Sequence, residues 1–185
     1  MGSDPGREAL RRMMLERRDA TSADLLEMAS GTIRQRLSRM KPFRSAGSVG
    51  AYHHTGSEVR TGGILQDVLD AGQRLLLPAV SDGTLVFREV RDSGDIVRGR
   101  FGIMEPKPRC TPGVPEVILV PAVCVTLKGI RLGYGHGYYD GYLNANPAES
   151  AAITLEKQVV GRIPPNPSDA PVDWVVTEDR LHRVV

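Results

Sequence analysis

Seven consecutive residues, Val117–Val123, carry no polar side chain. A strand can be apolar on both faces only where both faces are covered, so this run predicts a central strand of a parallel sheet between layers of helices. Ligands of such open sheets sit beyond the carboxyl ends of the strands. Downstream, Arg131–Asp140 reads Arg-Leu-Gly-Tyr-Gly-His-Gly-Tyr-Tyr-Asp. The alternating Gly133, Gly135 and Gly137 tolerate positive φ and close approach of a ligand, which suits a loop of inward-pointing N–H groups that binds an anion. Arg131 adds a permanent charge matched to phosphate oxygens. Asp140 is placed to hold a divalent cation beside them. A helix from Tyr138 to about Asn144 would aim its first N–H groups at the same anion. The run lacks the Gly-Lys-Ser/Thr of a Walker A loop. Its Gly-x-Gly-x-Gly spacing, with no strand directly before it, is not a dinucleotide fingerprint. A plain glycine-rich turn is the competing reading.

The 185 residues suit one domain with a sizeable core, and 24 basic against 22 acidic residues leave a net charge of +2. That balance excludes a broad basic surface for nucleic acid but permits a small basic pocket. Cys110 and Cys124 make neither a disulfide framework nor a metal cluster. No apolar run approaches the ~20 residues needed to span a bilayer. Gly6 stands where a myristoylation signal has Ser or Thr. The expectation is a cytoplasmic protein with small-molecule partners and no nucleic-acid or membrane partner. Nothing sets the oligomeric state, and a monomer is compatible with the chain.

Residues 1–6 read as a flexible lead, and residues 7–185 as a single α/β domain. Leu10, Met13, Met14 and Arg17 recur at helical steps from Arg7 to about Asp19. Arg7 and Arg11 lie four apart, on one side of that helix, and could address phosphates. A run such as Arg7, Arg11, Arg12, Arg17 and Arg18 is usually a solvated helix face. Thr21 can cap a second helix with an apolar stripe of Leu25, Leu26, Ala29, Ile33, Leu37 and Met40, ended by Pro42. A strand at Ser48–Tyr52 leads into His53 and His54, which have no further Cys or His at ligand spacing. A helix at Ile64–Gly72, strands at Leu75–Pro78 and Thr84–Val90 and a proline-rich loop at Pro106–Pro115 precede the central strand. Strands at Ala151–Leu155 and Val172–Thr177 follow it. This order predicts a three-layer α/β/α sandwich with a mostly parallel sheet.

Several stretches resemble one family. Leu119-Val120-Pro121-Ala122, Gly129 and the whole of Arg131–Asp140 look like the signature of the 5-formyltetrahydrofolate cyclo-ligases, also called 5,10-methenyltetrahydrofolate synthetases. Arg7-x-x-Leu10-Arg11 is similar to the family's Lys-x-x-Leu-Arg, with Arg in place of Lys. The patterns Tyr52-x5-Glu58-x2-Thr61, Gly102-Ile103-Met104-Glu105-Pro106, and Gln158, Pro164 and Asp169-x-x-Val172-Asp173 also match. The resemblance implies a fold like that of sugar-phosphate isomerases and coenzyme A transferases. It also implies ATP- and Mg2+-dependent cyclisation of 5-formyltetrahydrofolate to 5,10-methenyltetrahydrofolate, with release of ADP and phosphate.

Site roles follow from the same resemblance. Arg7, Arg11, Arg131, Gly133, Tyr134, Gly135, His136, Gly137, Tyr138 and Tyr139 would contact ATP. His53 and Glu58 would line the folate pocket with Arg11, Tyr134, His136 and Tyr138. Asp140 and Asp169 would serve the metal, Asp173 would be structural, and Arg131, Tyr138 and Asp140 would carry catalysis. Two other classes fit these residues: a ligand-binding module without turnover, and a sugar-phosphate isomerase of the same fold that needs neither ATP nor Mg2+.

Overall fold

The structure, a computed structural model, describes residues 4–99 and 102–185. Helix α1 (Pro5–Asp19) opens with a proline in its first turn and the Asp4 carboxylate capping the N–H groups of Gly6 and Arg7. It therefore begins within the stretch read as a lead. Helix α2 (Ala23–Leu37) is capped by Ser22, one residue after the expected Thr21, whose hydroxyl instead donates to the Arg18 carbonyl. Leu26, Ile33 and Leu37 are buried, whereas Leu25 faces solvent. Pro42 does not end α2; it starts the short helix α3 (Lys41–Ser45).

Strand β1 (Ser48–Gly50) is followed by helix α4 (Gly62–Asp70) and strand β2 (Arg74–Ser81). Asp82 and Gly83, both at positive φ, turn β2 into β3 (Thr84–Val90). A side hairpin of β4 (Ile96–Arg98) and β5 (Met104–Pro106) precedes β6 (Pro112–Gly113). β6 pairs with β3, so the proline-rich loop contributes one edge strand. Then come β7 (Val117–Pro121), a hairpin of β8 (Cys124–Val125) and β9 (Arg131–Leu132), helix α5 (Tyr138–Ala145), β10 (Glu149–Ile153), β11 (Trp174–Val176) and β12 (Leu181–Arg183).

The main sheet has the order β12-β11-β10-β7-β1-β2-β3-β6. β11, β10, β7, β1 and β2 are parallel neighbours, and antiparallel strands close both edges. Alternate residues face opposite layers, as a pleated strand requires. Val49, Leu75, Leu77, Val117, Leu119, Ala151 and Ile153 pack against α2, α3 and α4. Leu76, Ile118, Val120 and Ala152 pack with Phe87 and Tyr142 of α5. Met14 of α1 joins Val123, Cys124, Leu132 and Ile163 in a third cluster. Val117–Pro121 is thus covered on both faces, as its composition predicts.

The topology also decides where a site can form. From β1 the chain crosses through α4 to β2 on one side, whereas from β7 it crosses through α5 to β10 on the other. The order reverses between β1 and β7, and the loops leaving these adjacent strands cannot cover the gap above them. No helix among the described residues is long and apolar enough to cross a membrane.

Gly129 locks the β8–β9 hairpin onto the chain entering β11. It has φ +80°, accepts the Val172 N–H at 3.0 Å, and a Cβ there would lie 2.4 Å from the Val172 carbonyl oxygen. Gly129→Ala should destabilise the fold by about 2–4 kcal/mol through backbone strain and overpacking. A thermal melt about 5–15 °C lower would register it.

Candidate functional site

β9 delivers Arg131 and runs directly into the glycine loop, correcting the expectation that no strand precedes it. Gly135 and Gly137 have φ +105° and +71°, and Gly137 caps α5 with no side-chain acceptor on the helix's first N–H groups. The amide end of α5 is therefore open, as an anion site requires. Arg131 is 3% exposed; its Nη2 donates to Asp140 Oδ1 at 3.1 Å and its guanidinium lies 5.6 Å from the Tyr139 ring centre. Burial pulls its pKa down and Asp140 opposes the shift, but a guanidinium stays charged. Its Nε is buried with no acceptor among the described residues. A cation with an unanswered donor behind an anion loop is suited to a phosphate oxygen.

Arg11 meets the loop from α1. Its Nε donates to the Gly133 carbonyl at 2.8 Å, its Nη1 bonds the Glu8 carboxylate, and its guanidinium lies 3.4 Å from where a Cβ on Gly135 would stand. Arg7 does something else. Its two terminal nitrogens grip both oxygens of Asp169 at 2.8 Å, and Nη1 also donates to the Pro164 carbonyl at 2.7 Å. The expected ATP contact and the expected metal ligand thus neutralise each other. The planar fork of Arg makes this bidentate pair possible; the Lys of the resembling pattern could not form it.

Asp140 lies in the first turn of α5 but does not cap it. Its Oδ1 accepts from Arg131 and, at 3.2 Å, from the Ala170 N–H, so Asp140 joins the loop to the segment carrying Asp169. No group of three or more His, Cys, Asp or Glu able to hold a metal occurs among the described residues. The donor set still fits Mg2+, which takes one or two carboxylates and completes its shell with phosphate oxygens and water. Asp140 Oδ2 suits that role, whereas both oxygens of Asp169 are engaged by Arg7.

The other wall follows β1. Glu58, 6% exposed, accepts the Tyr134 hydroxyl on Oε1 at 2.6 Å, and on Oε2 the Thr55 N–H at 2.8 Å and the Thr55 hydroxyl at 3.2 Å. Its carboxylate therefore faces the glycine loop and not the start of α4. Tyr134 is 45% exposed, but its hydroxyl is enclosed by Glu58 and Arg18; local desolvation first, then the Glu58 charge and hydrogen bond, push its pKa up to about 12 against the pull of Arg18. His53 Nε2 is buried with no hydrogen-bond partner among the described residues, and burial, then His54, lowers that ring's pKa. The imidazole is accordingly neutral and can present Nε2 to a ligand. His54 is occupied with Thr61, whose N–H lies 3.3 Å from its Nδ1.

The remaining expected residues divide. His136 and Tyr138 stack with ring centres 5.6 Å apart, between the loop and α5. Tyr139 packs against the second core and Arg131. Glu105 lies against Gly99 within the side hairpin. Gln158 is structural, donating to the Val123 carbonyl at 2.6 Å, as is Asp173, which accepts from Ser150 at 2.7 and 2.8 Å. Arg18, read as part of a solvated face, is instead buried. Its Nε donates to Ser57 Oγ at 2.9 Å and its Nη1 to the Tyr134 oxygen at 3.0 Å. A signal existed: Arg7, Arg11, Met14 and Arg18 recur at steps of four, three and four, a single helix face.

Comparison with known proteins adds a family to this geometry. The model of the 5-formyltetrahydrofolate cyclo-ligase family matches residues 3–178. A 5-formyltetrahydrofolate cyclo-ligase of Mycolicibacterium smegmatis is 32% identical over 190 residues, covering 96% of each chain. The solution structure of Aquifex aeolicus 5,10-methenyltetrahydrofolate synthetase superposes with a TM-score of 0.88 at 29% identity, over 96% of this chain and 92% of that one. A 5,10-methenyltetrahydrofolate synthetase from Mycoplasma pneumoniae shares the fold, with a TM-score of 0.75 at 20% identity over 93% of this chain and 98% of that one.

The Tyr134–Glu58 bond is open to direct titration. Tyrosinate absorbance of the protein minus that of Tyr134→Phe isolates one phenol, which should ionise only near pH 12. Glu58→Gln removes the charge that holds the phenol's proton, so this ionisation should fall by roughly one unit or more. An unmoved titration would show that the two groups do not interact.

Proposed function

The chain belongs to the 5-formyltetrahydrofolate cyclo-ligase family, and we propose that it uses Mg-ATP to close 5-formyltetrahydrofolate to 5,10-methenyltetrahydrofolate, releasing ADP and phosphate. The observation that carries this reading is the 2.6 Å bond from Tyr134 of the anion loop to Glu58 of the loop after β1. This bond supports the reading because it brings the anion loop against the segment expected to bind the pterin, at the reversal of strand order.

The chemistry needs both halves. A formyl oxygen is a poor leaving group as hydroxide. Its attack on the γ-phosphorus breaks the bond to ADP and makes a phosphate ester. N10 then bonds to the activated carbon, phosphate departs with the former formyl oxygen, and N10 gives up its proton. The protein's task is to align oxygen and phosphorus and to offset the charge that spreads over the transferring group. The open N–H groups around Gly133–Gly137, Arg131 Nε and Arg11 hold the phosphates in this reading. Tyr138 and His136 flank them. Asp140 Oδ2 would hold Mg2+, whose charge would offset that of the phosphates. Arg7 acts at one remove, fixing Asp169 and its loop. Glu58 accepts from the paired pterin donors, with His53 beside it. The free, buried Cys110 and Cys124 support a reducing, cytoplasmic setting.

Mixing the protein with 5-formyltetrahydrofolate and Mg-ATP should generate the near-ultraviolet absorbance of the methenyl product. Binding without that absorbance would leave only a ligand-binding module, and turnover of a sugar phosphate without ATP would make it an isomerase. Two substitutions sharpen the assignment. Gly135→Ala places a Cβ at φ +105° against Arg11 and should weaken nucleotide binding by about tenfold or more. Unchanged nucleotide titration would mean the glycine merely forms a turn. Asp140→Asn keeps an acceptor for Arg131 and Ala170 but removes the charge. Turnover should drop by roughly 100-fold and the Mg2+ requirement should rise. Near-normal rates at limiting Mg2+ would remove Asp140 from the metal.

A further inference from the structure

The last turn of α1 carries a buried cation that the reaction scheme above does not use. Arg18 is 6% exposed, its Nε is taken by Ser57 Oγ and its Nη1 by the Tyr134 oxygen. Its guanidinium carbon lies 5.8 Å from the Tyr134 ring centre, and Nη1 is 3.9 Å from Glu58 Oε1. Ser57 passes its own proton on to Asp19. Arg18 is thus nine-tenths buried and bonded to protein through Nε and Nη1.

Its chemistry nevertheless dictates what its neighbours do. A guanidinium only donates, whereas a phenol donates once and accepts. With Arg18 donating to its oxygen, Tyr134 must send its proton the other way, to Glu58 Oε1. Glu58 Oε2 already receives two donors from Thr55. The carboxylate is thereby clamped at both ends, and Oε1 keeps one acceptor direction that no described hydrogen bond fills. Without Arg18, Tyr134 is free to turn its proton elsewhere, and a buried carboxylate loses its nearest cation. Water cannot substitute cheaply at such low exposure.

We propose that Arg18 is a positioning residue for the folate side of the site, acting through Tyr134 to set the orientation of the Glu58 carboxylate. The inference rests on Glu58 being the pterin acceptor. It also places α1 on both substrates, with Arg11 at the phosphate loop and Arg18 behind the folate wall.

Steady-state kinetics of five variants test it: Arg18→Gln, Arg18→Lys, Tyr134→Phe, the double variant Arg18→Gln/Tyr134→Phe and Glu58→Gln, with a melt for each. Arg18→Gln should raise KM for 5-formyltetrahydrofolate about tenfold while KM for ATP moves less than about twofold. Lysine keeps the charge but cannot span Ser57 and Tyr134 together, so Arg18→Lys should lie between, at about threefold. In the Tyr134→Phe background, Arg18→Gln should add little to the folate effect, because the intermediary is gone. A merely structural role would lower the melt and shift both Michaelis constants together, or neither, with independent effects in the double variant. A folded Arg18→Gln with unchanged folate KM overturns the proposal, as do fully additive effects with Tyr134→Phe. Should Arg18→Gln not fold, Arg18→Lys decides, and an unchanged folate KM there overturns it. If Glu58→Gln raises folate KM and Arg18→Gln does not, only the inference about Arg18 falls. If Glu58→Gln itself leaves folate KM unmoved, the pterin assignment fails and takes Arg18 with it.

Discussion

A guanidinium with almost no access to water has to be matched by fixed groups, and much of this site is arranged around that demand at Arg131. Asp140 supplies the counter-charge, which binds the first turn of α5 to the β8–β9 hairpin. The same Asp140 oxygen takes the Ala170 N–H, drawing in the segment before β11. Asp169, next along, is held from α1 by Arg7. One buried charge thus lies at the junction of three chain segments that the sheet alone would leave unconnected. Breaking such a pair on one side strands the other charge, so these contacts act together.

The topology supplies the second condition. Strands β1 and β7 are adjacent but send their crossovers through helices on opposite faces. The glycine loop and the loop carrying Glu58 approach each other from opposite sides of this reversal. They meet through the Tyr134–Glu58 hydrogen bond.

What could be read from residues alone was whatever depends on short range. Val117–Pro121 announced its two-sided burial through composition, and the alternating glycines announced a loop that only small residues can follow. Tyr138 to Ala145 became a helix close to the expected bounds. The resemblance marked Glu58 and Asp140 as important, though not that one Asp140 oxygen would be shared by Arg131 and the Ala170 amide. Long-range pairing was not legible. Nothing local says that Arg7 turns to Asp169 and not to the glycine loop, since that choice depends on a partner 162 residues away. Arg17 and Arg18 are chemically identical neighbours, and only the docking of α1 decides which is buried. Thr21 and Ser22 are both good caps, and a shift of one residue lies within the freedom of any helix start.

Helix α1 makes its anchoring bonds to residues far ahead of it: Tyr134 at a separation of 116, Gly133 at 122, Pro164 at 157 and Asp169 at 162. The third core cluster likewise joins Met14 of this helix to Ile163. Chain closure over such spans is slow relative to local structure. A chain ending before Pro164 would keep α1 and the glycine loop, with the Arg11–Gly133 and Arg18–Tyr134 pairs, but would lose both partners of Arg7.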